Sequence, residues 1–476
     1  MIDCPGLPER LSTGVAGLDL VLRSGLIAHR RYLVRGGPGL GKTVLGLSFL
    51  GAGNEEGPAL FIGFQEPPNE IRSNASALGI DTSSIEFLRL SPDDDFFMQT
   101  DAYDIFASTD LGHESLHQTI TDAFERIRPH RVFIDSLTQL RFLSPDVYQF
   151  RMQTTALLNY LVSRGCTVLF TSKPSREMPD NDLQIIADGV INLERTATRG
   201  NIQVSKFRGS DFDPGPHQFR VNKDGFRVFP RLLPPLPQNE LPNTWQLGSG
   251  NKDLDAMLHG GLESSTVTLL TGPSGVGKST LGACYALEAA RQGHRAAVYI
   301  FEEECGTFMT RLRSLRLEPD PLLDSGDLLV EQVEPLRYLA DEFTSQVRDH
   351  VENKGIELVV LDSVQGFNIA LEADKCAGRP LHAFSKTLVR LGVTVILVNE
   401  NRATTKTLAI SERNISYLAD NVIYMRYLQT GDGALQKTLG VLKKRMTDFD
   451  NHSQIFEVGP GGFDMKPLTD TKRVCN

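Results

Sequence analysis

Two stretches, RGGPGLGKTV from Arg35 to Val44 and TGPSGVGKST from Thr271 to Thr280, share the spacing G-x-x-x-x-G-K-[ST]. The first runs through Gly36, Gly37, Pro38, Gly39, Leu40, Gly41, Lys42 and Thr43. The second runs through Gly272, Pro273, Ser274, Gly275, Val276, Gly277, Lys278, Ser279 and Thr280. Glycines at this spacing let backbone N–H groups curl around phosphates, and the lysine reaches the terminal phosphate. The hydroxyl of Thr43 or Ser279 is placed to hold Mg²⁺. Each stretch is therefore expected to cradle a nucleotide.

Further oxygen-bearing residues stand downstream of both cradles. Asp135 ends the apolar run RVFID and Asp362 ends LVVLD. A carboxylate at a strand end beside the cradle hydroxyl suits Mg²⁺, although a strand-end turn also favours Asp. FQEPPNEI places Gln65 and Glu66 after another apolar run, and FEEECGTF places Glu302, Glu303 and Glu304 at the corresponding point. A carboxylate there can take a proton from the group that attacks a terminal phosphate. Gln65 can position water but cannot take its proton, so the two sites are expected to differ. The plainer alternative is a solvated acidic strand end, which suits Glu304 best.

The elements that must position these groups repeat along the chain. Each cradle follows a β-like run, RRYLV or TVTLL, and precedes a helix-like one. Gly36 and Gly272, Lys42 and Lys278, and Leu18 and Leu254 are all separated by 236 residues. The offset becomes 237 between Phe64 and Phe301, and 227 between Asp135 and Asp362. A constant offset with small slips is the signature of a duplication. Prolines at 230, 234, 235, 237 and 242 mark an extended connection. The expected organisation is a first domain over 1–230, a proline-rich linker over 231–243 and a second domain over 244–476. Alternating helical and apolar β-like patterns predict an α/β fold of two tandem P-loop NTPase domains. Each would be a mostly parallel sheet with helices on both faces.

Composition narrows the classes. A net charge of −10 disfavours sequence-independent nucleic-acid binding. The six cysteines show no metal-binding spacing, which suits thiols in a reducing cytoplasm. No apolar run reaches membrane-spanning length, and the first residues do not read as a secretory leader. A cytoplasmic location without membrane contact is expected.

The duplicated cradle, the acidic pair and the strand-end IDS and LDS resemble the circadian clock protein KaiC family, of the RecA/RadA-type ATPases. The resemblance implies RecA-like domains and a homohexamer of two stacked rings with ATP between neighbouring subunits. It implies an ATPase first ring and a second ring that phosphorylates itself. It also implies a KaiB-like or other signalling partner. Lys206 and Arg208 in SKFRGS, and Lys443 and Arg445 in LKKRMT, match the basic pair that reaches a neighbour's nucleotide. Ser416 matches the acceptor serine, Tyr417 stands where the family usually has threonine, and Ser411 matches an auxiliary threonine. In the first half Gln184 and Ile185 align with Ser416 and Tyr417, so only the second half offers hydroxyls. Little sequence follows the second domain, where the family's clock members carry a regulatory tail. Two other readings are a RadA-like DNA-dependent motor and an ATP-assembled scaffold without kinase activity. One tryptophan and scattered cations disfavour the first. Intact lysines and aspartates in both halves disfavour the second.

Overall fold

The computed structural model describes residues 8–53, 57–90, 109–144, 146–174, 179–196, 199–232, 234, 245–335, 337–371, 379–401, 415–430 and 433–468. The chain divides into two compact units, Met1–Arg231 and Leu232–Asn476. Most of the proline-rich linker and Ser411 lie outside the described residues.

In the first unit the strands are β1 (Arg10–Leu11), β2 (Leu26–Ile27), β3 (Arg31–Arg35), β4 (Ala59–Gly63), β5 (Ile85–Arg89) and β6 (Arg131–Asp135). They continue with β7 (Thr167–Ser172), β8 (Gly189–Arg195), β9 (Gly200–Phe207), β10 (His217–Asn222) and β11 (Gly225–Phe229). A nine-stranded sheet has the order β11-β10-β9-β8-β3-β7-β6-β4-β5. The strands from β8 to β5 in that order are parallel, and β9, β10 and β11 extend the sheet antiparallel. β1 and β2 form a separate two-stranded ribbon.

The second unit repeats this arrangement. Its strands are β12 (Gln246–Leu247), β13 (Leu262–Glu263), β14 (Val267–Gly272), β15 (Ala296–Ile300), β16 (Leu328–Gln332) and β17 (Leu358–Asp362). They continue with β18 (Thr394–Glu400), β19 (Asn421–Gln429), β20 (Leu435–Lys444), β21 (Gln454–Gly459) and β22 (Gly462–Pro467). The sheet order is β16-β15-β17-β18-β14-β19-β20-β21-β22. Position by position it is the first sheet again.

Burial on both faces explains the unbroken apolar strands. On β3, Tyr32 and Val34 join the cluster that includes Leu45, Phe49 and Leu50 of helix Lys42–Gly51. Leu33, between them, points the other way and joins Leu158 and Leu161 of helix Val147–Ser163. Leu269 and Leu270 of β14 divide in the same manner. Each fully buried Leu or Val of this kind contributes about 1.5–3 kcal/mol. The parallel strands thus sit between two packed helical layers, with their C-terminal ends at the cradles. These are two tandem RecA-like α/β domains. No helix among the described residues is long and apolar enough to cross a membrane.

Candidate functional site: two nucleotide cradles

Each cradle is a strand–loop–helix turn. β3 leads into the first, and helix Lys42–Gly51 starts at the lysine. Gly41 enters that helix at φ 81°, where a Cβ would come within 2.9 Å of Val221. Gly277 enters helix Lys278–Arg291 at φ 126°. Only glycine adopts both conformations without strain. Both helices begin two residues earlier than the apolar patterns VLGLSF and TLGACY indicate. The cradle lysine and hydroxyl are themselves first-turn residues, and their polarity hides the start.

The lysines fold back onto their loops. Lys42 Nζ donates to the carbonyl oxygens of Gly36 at 2.7 Å and Gly37 at 2.5 Å. Lys278 Nζ donates to that of Pro273 at 2.7 Å. Burial lowers the pKa of both below the usual lysine range. Carboxylates act against that shift, Asp135 on Lys42 and Glu400, Asp362 and Glu302 on Lys278, and a bound phosphate would add further counter-charge. The first cradle opens into a cavity of about 400 Å³ lined by Gly39, Lys42, Thr43, Gln65, Glu66 and Asp135, among others. That volume suits a small ligand.

In each unit the cradle hydroxyl and the strand-end carboxylate meet. Thr43 Oγ1 donates to Asp135 at 2.6 Å, and Thr171 donates to its other oxygen at 2.6 Å. In the second unit Ser279 donates to Asp362, whose register partner on β18 is Val398. With an apolar residue there, burial pushes the Asp362 carboxyl up to about 6. The Ser279 bond and Arg311 pull it down, while Glu302 and Glu303 push it further up. Hydroxyl and carboxylate oxygens are hard donors suited to Mg²⁺, which ordinarily keeps phosphate and water oxygens in the rest of its shell. No group of three or more His, Cys, Asp or Glu among the described residues would hold a metal alone.

The groups around the cradles diverge. Ser363 donates to Glu302, and Arg311 holds Glu303 at 2.8 Å. Glu303 is thus tied to Arg311, and of the acidic pair it is Glu302 whose charge acts on Lys278, alongside Glu400 and Asp362. In the first unit Gln65 and Glu66 are both exposed at the cavity. Sequence reasoning missed the residues at the C-terminal end of the strand beside each cradle strand. Lys173 follows β7, lines the first cavity and lies 3.4 Å from Gln65 Oε1. Glu400 ends β18, pairs in register with Gly272, and is the largest charge acting on Lys278. The offset of 227 that relates Asp135 to Asp362 also relates Lys173 to Glu400, so the repeat itself held this signal.

The basic pairs occupy matching places. Lys206 Nζ donates to the carbonyls of Gln184 at 2.8 Å and Ile185 at 3.1 Å. Lys443 Nζ donates to that of Ser416 at 3.3 Å and to that of Ala419. Arg208 faces Asp188 at 3.7 Å, and Arg445 faces Asp420 at 3.1 Å. A register shift accompanies each lysine, at Val190/Ile191 between β8 and β9 and at Val422/Ile423 between β19 and β20. A bulge re-aims side chains and twists its strand. Neither bulge is legible in the sequence. Ser416 is half-buried, whereas Tyr417 is exposed and its ring lies 6.4 Å from that of His382.

Two RecA-like sheets, each with a phosphate cradle and a hydroxyl–carboxylate pair at the strand ends, define a tandem P-loop ATPase. The family model described as "ATPase: KaiC" matches residues 11–232 and again 247–470. The chain belongs to the KaiC family of ATPases. It is 26% identical to the circadian clock oscillator protein KaiC of Prochlorococcus marinus subsp. pastoris, across 96% of this chain and 91% of that protein. It is 24% identical to the same-named protein of Parathermosynechococcus lividus, across 97% and 86%. It is 28% identical to the circadian clock protein KaiC2 of a Synechocystis species, across 76% and 63%.

Proposed function

We propose that the two cradles perform different reactions. The first hydrolyses ATP, and the second transfers the γ-phosphoryl group of ATP to Ser416. The chain would work as a homohexamer of two stacked rings in timing or signalling, as the names of its relatives suggest. One observation carries the reading: equal cradles with unequal surroundings. The first has Gln65 and Lys173 at its mouth and Gln184 at the acceptor position. The second has Glu302 and Glu400 near Lys278, and Ser416 at the acceptor position.

In the second unit the Ser416 Oγ attacks the γ-phosphorus, Glu302 takes the serine proton, and the bond to the bridging oxygen breaks to release ADP. In the first unit water attacks in the same way, and Glu66 is the carboxylate available for its proton. Thr43 with Asp135, and Ser279 with Asp362, would hold Mg²⁺, which neutralises charge on the β- and γ-phosphate oxygens. Lys206 and Arg208, and Lys443 and Arg445, would supply positive charge to a nucleotide on the neighbouring subunit. Their bonds within the chain run to the acceptor segment and its flanking aspartate, which supports a role outside their own cradle.

Steady-state ATP turnover and protein-bound phosphate, measured on Lys42→Ala and Lys278→Ala chains, test the division. Turnover should fall chiefly in Lys42→Ala, and bound phosphate should vanish in Lys278→Ala. The reverse pattern, or full turnover in the double variant, contradicts it.

A further inference from the structure

The first cradle has no carboxylate where the second has Glu302, and what replaces it is a pair. Gln65 stands there, and Lys173 Nζ lies 3.4 Å from its side-chain oxygen. Both side chains line the cavity that Lys42, Thr43 and Asp135 also line. The backbone N–H of Lys173 is fixed by Thr138 Oγ1 at 3.1 Å, so the base of the lysine side chain is anchored at the end of β7. Its charge reaches the cradle: Lys173 is one of the two charges acting on Lys42, and Asp135 is the other.

We infer that Lys173 is a positioning residue for hydrolysis in the first cradle, holding Gln65 so that its amide orients the attacking water. The amide oxygen has two lone pairs. One accepts from Lys173 and the other accepts from water. The water oxygen then forms its bond to the γ-phosphorus while the bond to the β,γ-bridging oxygen breaks. ADP leaves, and the water proton passes to Glu66. Gln65 takes no net proton. A glutamine that orients water beside a cation that relieves phosphate charge is a sound arrangement for phosphoryl transfer to water. It also accounts for the charge reversal between the units. Glu400, at the position of Lys173, would repel an anionic carboxylate such as Glu302 but leaves it free to take a serine proton.

This inference rests on the first unit hydrolysing ATP. The test uses the full chain carrying Lys278→Ala, so that turnover reports the first cradle. Lys173→Met should lower kcat about 10- to 100-fold, the worth of a hydrogen bond to a charged group, with KM little changed. Lys173→Arg should restore most of the rate. Gln65→Ala should cost a similar factor, and Gln65→Ala with Lys173→Met should cost no more than either alone. Unchanged kcat in Lys173→Met, or losses that multiply in the double variant, overturns the positioning role. Lys42→Ala in the same background separates the two failures. If turnover survives it, first-cradle hydrolysis itself is wrong.

Discussion

Lys443 donates a hydrogen bond from Nζ to the backbone carbonyl of Ser416 at 3.3 Å, and Lys206 makes the matching bond to Gln184 at 2.8 Å. One lysine thus ties the segment carrying Ser416, the proposed acceptor, to β20 in the second unit, and its counterpart ties the matching segment with Gln184 to β9 in the first. Lys443→Met should lower phosphate on Ser416 about 10-fold or more, since a charge-assisted bond and a cation go together. Lys206→Met should spare Ser416 labelling and slow ATP turnover instead. Phosphopeptide yields from the two variants check this, and equal yields would contradict it.

Two intact cradles imply two nucleotides per chain. Native mass spectrometry under saturating Mg·ATP should find both in the wild type and one in Lys278→Ala. Lys42→Ala should weaken ring assembly as well as binding. One nucleotide per wild-type chain would reject this.

Glu66 is the carboxylate beside Gln65 at the first cavity. Glu66→Gln, in the Lys278→Ala background, should cost about 10²- to 10⁴-fold in turnover, the usual worth of general-base assistance. Turnover equal to the parent assigns the proton acceptor elsewhere.

Cradles, strand-end aspartates and the duplication were legible because each is written in local residue types at fixed spacing. Gly36 to Thr43 and Gly272 to Ser279 need no tertiary context to be read. The 227 offset relates Lys173 to Glu400, but only the parallel pairing of β7 and β18 beside the cradle strands shows that these positions reach the cradles. The antiparallel extension from β9 to β11 and the bulges beside Lys206 and Lys443 likewise depend on long-range register. That Glu303 is occupied by Arg311 depends on helix Cys305–Ser314 bringing a residue eight positions later back to the strand end, which the acidic run FEEE conceals.

Asp362 gives the second cradle a pH signature. Its folded carboxyl is raised to about 6 from 3.8, so the nucleotide-free fold keeps a proton that the unfolded chain has lost. The associated stability is fully present below the unfolded value and is lost as pH rises through about 6. Holding Mg²⁺ requires the carboxylate, so preformed Mg·ATP should displace about half a proton from Asp362 near pH 6 and almost none at pH 8. Calorimetric titration of Lys42→Ala in two buffers of different ionisation enthalpy measures this release. A release independent of pH would remove Asp362 from the metal site.

Phosphopeptide mapping of the wild-type chain after incubation with Mg·ATP bears most directly on whether the two cradles do different work. Phosphate should appear on Ser416 first, with Tyr417 minor or unmodified, because the tyrosine hydroxyl lies several ångströms farther from the backbone. Glu302→Gln with Glu303→Gln should abolish the label while second-cradle nucleotide occupancy is largely kept. Mixing a Ser416→Ala chain with that variant should restore labelling if transfer runs between subunits. A wild-type chain with no phosphate anywhere in residues 409–425 would contradict the assignment and leave two hydrolytic cradles.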